Sequence, residues 1–284
     1  DESCPSADTI SLENGKISGI NAIDHNHKSI DLQGATVIPG FTDSHFHLTN
    51  LGKQLDTLQL KDCRSSHEVA EKVLKKSAKM SHNDWIIGFG WDHNKWRDSH
   101  FPKADILNSL PISQPIMLNR IDGHSAWVNQ KAMELSGLDV TPNPPEGGDI
   151  INDCILIDNA MNPVQFVMPK PDESTVEKWI NLALKIIIPR GITNIHDAWQ
   201  DPVTVKVLQQ MSANGKLPIR VYGMLGSSYP KLLKQFFKEG FFNSGNYTIR
   251  SVKAFIDGAL GSRGAALLEP YSDDHSNCGL ILIT

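Results

Sequence analysis

Two histidines separated by one residue, His45 and His47, are the side chains in this sequence best suited to hold a metal ion. They end the apolar-flanked segment 41–48, which follows the chain-breaking pair Pro39-Gly40 and is predicted to be a β-strand. Because side chains alternate along a strand, residues i and i+2 project from the same side. Two imidazoles on one side of a strand end can jointly bind a divalent cation, Zn2+ above all. The alternative is coincidence, since this spacing also occurs in proteins that bind no metal.

Lys253 is the second residue with unusual chemical potential, and it lies in the predicted strand 251–257. On that strand Lys253 and Asp257 share one face, and a lysine inside a fold is costly unless it is neutralised or paired. One interpretation is an ion pair between the two side chains. The other is that burial lowers the lysine pKa and frees the amine to take up CO2. The resulting carbamate could bridge two divalent metal ions.

The elements that must position these residues alternate between strand and helix from about residue 172 onward. Ser174 and Glu177 are spaced as a capping box at the start of the first helix. Alternating strands and helices predict βα units and a parallel sheet, with a TIM-like (β/α) barrel as the leading architecture and a doubly wound sheet as the alternative. The predicted strands are 192–196, 219–225 and 251–257, and the predicted helices are 174–188, 203–213 and 229–238.

The preceding part of the chain predicts two further regions. Residues 8–38 are expected to form a small β-domain, with a hairpin at Asn14-Gly15. A long insertion, at about 51–175, is expected between the first two barrel strands. We therefore divide the chain into a β-domain portion at 1–39 and a hydrolase-like barrel at 40–284. The expected elements of these regions are strands 9–12, 16–20, 29–32, 35–38, 85–89 and 115–121, helix 67–80 and an irregular loop at 141–148.

Composition excludes several classes of partner. The formal net charge is -5, a poor match for a phosphate backbone, so we expect no nucleic acid partner. No apolar run approaches the roughly 18 residues that span a bilayer, so we expect no membrane partner. The four cysteines are widely spaced without a CxxC pair, which argues against a zinc finger and favours a reducing compartment, here the cytoplasm.

The segment 37–48, in which Pro39-Gly40-Phe41 precedes Asp43, His45 and His47, resembles the signature of the amidohydrolase superfamily. In that superfamily a small β-domain precedes a barrel whose first strand carries these residues. Other segments are similar to its YtcJ-like group, amidohydrolase family 3, which includes N-substituted formamide deformylase. These segments follow the order of the family over nearly the whole chain and are 90–96, 119–129, 191–198 and 257–263.

The resemblance implies one or two divalent metal ions, with Zn2+ as the expected metal. It implies that His45 and His47 are ligands and that Lys253, on the fourth barrel strand, is the carbamylated ligand. It also implies that a histidine on strand five, another on strand six and an aspartate general base on strand eight complete the site. None of these is found after Lys253, where His275 stands in a polar segment, so no catalytic base is assigned.

The resemblance further implies that the insertion covers the mouth of the barrel, which makes four residues candidates for substrate contact. Asp122 and His124 are two of them, with a hydrogen-bonded turn as the alternative. Trp91 is the third, with core packing as the alternative. His196 is the fourth; because it adjoins Asp197, only one of that pair can point inward, and a structural hydrogen bond to the backbone is the alternative.

We therefore expect the N-terminal half of a metal-dependent hydrolase that cleaves non-peptide C–N bonds in a small amide or N-formyl substrate. The alternative is a truncated, catalytically incomplete homologue that serves as a binding module. In either case a second polypeptide or a homo-oligomer could complete the barrel. A cyclic amidase of the dihydroorotase or imidazolonepropionase type is a third possibility, which the insertion with Asp122 and His124 disfavours.

Overall fold

The structure is a computed structural model that describes residues 6–21, 28–139, 144–258, 260 and 264–281. The chain forms two compact units, Asp1–Pro39 and Gly40–Thr284. The strands are β1 Ile10–Glu13, β2 Lys16–Ile20, β3 Phe41–Phe46, β4 Leu58–Gln59, β5 Ile86–Trp91, β6 Ile116–Arg120, β7 Ser125–Val128, β8 Gly148–Ile151, β9 Ile155–Asp158, β10 Ile192–Gln200, β11 Arg220–Gly226, β12 Phe242–Ser244 and β13 Tyr247–Lys253. The helices are α1 Leu48–Asp56, α2 Ser66–Ser77, α3 Ala104–Asn108, α4 Gln130–Ser136, α5 Asn162–Val167, α6 Glu173–Ile187, α7 Pro202–Ala213 and α8 Pro230–Glu239.

The N-terminal unit contains the predicted hairpin. Strands β1 and β2 pair antiparallel, and Asn14 and Gly15 between them both adopt positive φ, at 50° and 75°. Two successive residues with positive φ match the twist of the strands they join. The prediction of strands at 29–32 and 35–38 is wrong. Within the described part of this unit neither segment pairs with another strand, and a β-strand requires such a partner.

The second unit contains a sheet of five strands in the order β12-β13-β11-β10-β3. Strands β3, β10, β11 and β13 are parallel, and β12 joins the edge antiparallel. The predicted α/β fold with a parallel sheet is therefore confirmed. Among the described residues the sheet remains open, with β3 at one edge, so a closed barrel is not seen. The last strand ends at Lys253 and does not continue to Asp257 as expected.

Helix α6 shows how the helices cover this sheet. Its residues Val176, Ile180 and Leu184 recur at helical spacing and are at most 4% exposed, in one core with Ile195 of β10 and Ile249 of β13. The apolar stripe of the helix and the apolar face of the sheet thus form a single hydrophobic core.

The start of α6 differs from the predicted capping box. Asp172 is the N-cap residue, and its Oδ1 accepts a hydrogen bond from the Thr175 N–H at 2.8 Å. The hydroxyl of Ser174 bonds the same carboxylate at 3.0 Å. A carboxylate just before the first turn satisfies a free backbone N–H and stabilises the positive end of the helix. The N-cap is therefore Asp172, two residues before the Ser174 of the predicted capping box.

A second sheet, in the order β4-β5-β6-β7-β9-β8, lies in the chain between β3 and β10. Strands β4, β5 and β6 are parallel and the others antiparallel. The expected insertion limits of about 51 and 175 fall inside α1 and α6, which pack on each other in the core of the first sheet. Of the loop predicted at 141–148, residues 141–143 lie outside the described residues and Gly148 already begins β8. None of the described helices combines the length and apolar character needed to cross a membrane.

Candidate metal centre

His45 and His47 lie together at the carboxyl end of β3. Phe46, between them, packs against the core on the helix side of the sheet, so the two imidazoles project from the opposite side. Their ring centroids are 5.3 Å apart and the rings are nearly perpendicular, at 75°. A hydrogen bond from the His45 N–H to Asp43 Oδ1, at 3.0 Å, shapes the backbone just before them. The structure thus brings the two predicted metal ligands to one point.

His47 is held by contacts with the end of the neighbouring strand. Burial lowers its pKa, the positive charges of His45 and Lys253 lower the pKa further, and a hydrogen bond to the backbone of Ala198 acts in the opposite direction. A lowered pKa favours the neutral imidazole, which is the form that binds metal. A hydrogen bond between a ring nitrogen and a backbone group is the usual way in which a metal-binding histidine is oriented.

Behind the histidines, a buried polar network joins the start of α1 to β10 and β13. Asp197 is 1% exposed, and its carboxylate accepts hydrogen bonds from the Leu48 N–H and from Gln200 Nε2, both at 2.8 Å. The Tyr247 hydroxyl donates to Gln200 Oε1 at 2.5 Å. Burial raises the pKa of Asp197 to about 6, although the hydrogen bonds from Gln200 and Leu48 lower it. Gly223 makes room for this network, because a Cβ there would lie 2.2 Å from Gln200 Oε1.

Lys253 is the last residue of β13 and is half-buried. Its Nζ lies 5.0 Å from the centroid of the Phe255 ring, and its charge acts on His47. Within the described residues Lys253 and Asp257 form no ion pair; Asp257 Oδ2 instead accepts a hydrogen bond from the Ala266 N–H at 3.1 Å. The ion-pair interpretation of Lys253 is therefore wrong, because the strand ends before Asp257.

The imidazole nitrogens of His45 and His47 suit a metal ion, but two ligands do not complete its coordination. Imidazole nitrogen is a preferred ligand of Zn2+ and of other late transition metals. In the described part of the chain, no three side chains of the His, Cys, Asp and Glu types converge tightly enough to hold a metal. Lys253 is not of these types and becomes an oxygen donor only as a carbamate. The chemistry of His45 and His47, with Lys253 nearby, thus fits a metal site to which further ligands are added.

Trp91, expected to contact substrate, lies in the core of the second sheet. It is 0% exposed, its Nε1 donates a hydrogen bond to the Leu118 carbonyl at 2.7 Å, and its ring packs against Trp96 and Trp127. A side chain that is buried and already hydrogen-bonded has no surface to offer a solute. The prediction of substrate contact for Trp91 is wrong, and core packing explains it.

Asp122 and His124 form the turn between β6 and β7. Arg120 pairs with Asp122 and, at 3.1 Å, with Asp92. Asp122 Oδ1 accepts a hydrogen bond from the His124 N–H at 3.1 Å. The imidazole of His124 is 77% exposed and bonds Asp158 at 2.9 Å, which raises the pKa of His124. The geometry is that of a hydrogen-bonded turn, and none of the contacts of the described residues links it to His45 or Lys253; substrate contact by this turn remains a prediction.

His196 occupies the same side of the sheet as the two metal-ligand candidates. Because Asp197 is buried on the helix side, its neighbour His196 points the other way. The imidazole of His196 is half-buried and lies 5.1 Å from the ring of Tyr222, its registered partner on β11.

Sequence reasoning missed Trp199, which lies near the end of the same strand. Its φ of 99° has no signal in the sequence.

His45 and His47 thus lie at the carboxyl end of a parallel strand, which is where the active sites of (β/α) barrel proteins are found. The chain belongs to the amidohydrolase family: the family model described as "Amidohydrolase family" matches residues 28–282.

Similarity to individual proteins agrees with this assignment. The chain is 29% identical to the protein named "Putative amidohydrolase YtcJ" of Bacillus subtilis (strain 168), over 96% of this chain and 55% of that protein. It is 22% identical to N-substituted formamide deformylase of Arthrobacter pascens, with 70% of this chain and 39% of that protein covered. An uncharacterized metal-dependent hydrolase from Pyrococcus horikoshii OT3 superposes with a TM-score of 0.71 at 27% identity, over 86% of this chain and 48% of that one. The chain thus spans about half the length of the relatives it matches.

Proposed function

We propose that this chain forms the N-terminal half of a metal-dependent hydrolase that cleaves a non-peptide C–N bond, with His45 and His47 as metal ligands. The observation that carries the proposal is the convergence of these two imidazoles, 5.3 Å apart, beside Lys253. The four parallel strands follow one another in chain order across the sheet, which supports their assignment as the first four strands of a (β/α) barrel.

The expected metal is Zn2+, as one or two ions, because imidazole ligands suit it. When bound, it supplies a Lewis acid that polarises a carbonyl and lowers the pKa of a water molecule. The chain itself holds the ligands in place. The Ala198 backbone orients the His47 ring, and the Asp197 carboxylate fixes the backbone at Leu48, one residue further on.

Lys253 is proposed as a carbamate ligand. The amine takes up CO2 and loses one proton, which gives a group with two oxygens for the metal. Replacing Lys253 by Ala should abolish metal-dependent activity, and a small carboxylate such as acetate should restore part of it by supplying the missing oxygens. The absence of any rescue, together with an unmodified lysine in the mass spectrum of the metal-loaded protein, would contradict this role.

A small amide, preferably with an N-formyl group, is the proposed substrate class. The support is the similarity to a protein named N-substituted formamide deformylase. The open edge of β3 is expected to pair with further polypeptide, from a second chain or a second copy, because a free parallel edge tends to associate.

Metal analysis tests the proposal directly. The purified protein should carry metal in stoichiometric amount, and His45→Ala and His47→Ala should each lose it. His82→Ala is the matched control, since His82 is an exposed histidine in a turn of the other sheet. Metal that is absent from the wild type, or that survives both substitutions, would overturn the proposal. The alternative of a binding module without catalysis would then be favoured.

A further inference from the structure

Two aromatic rings lie directly beside Lys253. Trp199 is near the end of β10, and Phe255 follows the end of β13; their ring centroids are 5.0 Å apart, with the planes tilted by 40°. The other neighbour of Phe255 is Lys253, whose Nζ is also 5.0 Å from the Phe255 centroid. The rings therefore adjoin one of the three groups assigned to the metal centre.

The backbone of Trp199 is held in an unfavourable conformation. Its φ is 99°, a region that a bulky residue rarely adopts and that costs about 1–3 kcal/mol. The pairing of β10 with β11 shifts register between Ala198 and Gln200, so that Trp199 is the extra residue. A bulge of this kind redirects one side chain out of the regular alternation. The bulge thus determines where the indole of Trp199 points.

The neighbouring strand β11 leaves a space that the indole of Trp199 occupies. A Cβ on Gly226, the last residue of β11, would lie 2.9 Å from Trp199 Cε2 and 3.0 Å from Tyr229 Cε2. The indole therefore rests against the bare backbone of β11, with Tyr229 at its side. Phe255 on the other side remains 48% exposed. Among the described residues, the rings of Trp199 and Phe255 thus form a supported aromatic surface, of which Phe255 is the exposed part.

This surface is also close to the histidines. The residue before Trp199 is Ala198, whose backbone lies near enough to the ring of His47 to raise its pKa. The indole of Trp199 is therefore one residue along the chain from a backbone group beside a proposed metal ligand, and Lys253 adjoins both Phe255 and, through its charge, His47.

We propose that Trp199 and Phe255 bind an uncharged aromatic substituent on the amide substrate; this inference rests on the proposed hydrolase function. Aromatic rings attract one another in tilted or offset arrangements at centroid distances of about 4.5–7 Å, and the two rings already adopt such a geometry. In the metal-free protein, where Lys253 is an unmodified amine 5.0 Å from the Phe255 ring centroid, its charge disfavours a cationic substituent there. A substrate with a small aliphatic group would leave the aromatic surface uncovered.

Binding can be measured without turnover. In the metal-free protein, titration calorimetry should show that formanilide (N-phenylformamide) binds about tenfold more tightly than N-methylformamide. Phe255→Ala and Trp199→Ala should each remove this preference, and Trp199→Phe should keep most of it. The control is Phe237→Ala, because Phe237 is 76% exposed on α8 and contacts none of these rings.

Kinetics on the metal-loaded assembly, in which the further polypeptide proposed above completes the barrel, give a second readout. In Phe255→Ala, kcat/KM for formanilide should fall about tenfold while that for N-methylformamide stays within about twofold. Phe255→Ala is informative even where loss of Trp199 unfolds the protein. Equal binding of the two amides by the wild type, or an unchanged preference in Phe255→Ala, would overturn the aromatic site while leaving the hydrolase intact. Phenyl-selective binding by a protein that binds no metal at His45 and His47 would support the aromatic site and overturn the hydrolase.

Discussion

The carboxylate of Asp197 accepts a hydrogen bond from the backbone N–H of Leu48 at 2.8 Å. This contact links the second strand of the parallel sheet to the residue that follows His47. Because Asp197 is buried and also bonded by Gln200, it fixes the end of β3 from the side of the sheet that faces the helices. The position of one proposed ligand thus depends on an acid that does not face the metal site.

Asp197 should make stability depend on pH. Its pKa is raised to about 6 in the folded protein, whereas an unfolded aspartate titrates near about 4. The folded state therefore binds the proton more tightly, and stability that is present below about pH 4 is lost as the pH rises through about 6. We expect a loss on the order of 3 kcal/mol across this window. Urea unfolding at a series of pH values, compared with Asp197→Asn, would show it as an additional decrease of stability with pH in the wild type. Parallel pH curves for the two proteins would contradict this prediction.

Metal removal should lower thermal stability through His45 and His47. A ligand at a hundredfold excess over its dissociation constant stabilises the folded state by about 2.7 kcal/mol. A chelator should therefore reduce the Tm of the wild type and of His82→Ala, but leave the Tm of His45→Ala unchanged. A fall of equal size in all three proteins would show that the chelator acts elsewhere.

The strain at Trp199 predicts an unusual order of stability. Both Trp199→Gly and Trp199→Ala remove the indole, but only glycine adopts a φ of 99° without a penalty. We expect the glycine variant to be more stable than the alanine variant by about 1 kcal/mol or more. Chemical denaturation of the two variants measures this difference in unfolding free energy. Both variants lack the indole contacts, so the loss of those contacts does not affect the comparison. An alanine variant as stable as the glycine variant would mean that the backbone is not strained at this position.

Trp91 should behave as a core residue. Because it is fully buried and hydrogen-bonded to Leu118, Trp91→Ala should cost about 3–5 kcal/mol of unfolding free energy. Phe166→Ala is the control, since Phe166 is 89% exposed. An activity defect in Trp91→Ala without loss of stability would restore the rejected role in substrate contact.

The sequence predicted the features that depend on local pattern. The alternation of strands and helices that makes a parallel sheet follows from side-chain periodicity and was confirmed in the structure. The strand predicted at 41–48 is shorter than expected, since it carries His45 and ends at Phe46, just before His47. The strands expected at 29–32 and 35–38 failed because strand formation depends on a partner, which local propensity does not reveal. The sequence also did not predict that β13 ends at Lys253. Phe255 and Asp257 continue the alternation of the strand, and local pattern does not show where pairing with a neighbour stops.

The candidate site was less predictable than the fold. Trp91 looked like a pocket residue because its burial depends on how the second sheet packs. The environment of Asp197 depends on Leu48 and Gln200 together, and long-range hydrogen bonds leave no mark in the sequence. The position of Trp199 depends on a bulge, and a single register shift between strands has no compositional signal.

The chain leaves the parallel sheet and returns to it at nearly the same place. Asp56, at the end of α1, bonds Lys178 and Trp179 of α6, so the exit and the re-entry of the intervening six-stranded sheet are fastened to each other. We therefore expect insertions or deletions between Asp56 and α6 to leave the ends of β3 and β10 in place. Changes of sequence length there would then be tolerated without moving the two histidines proposed as ligands.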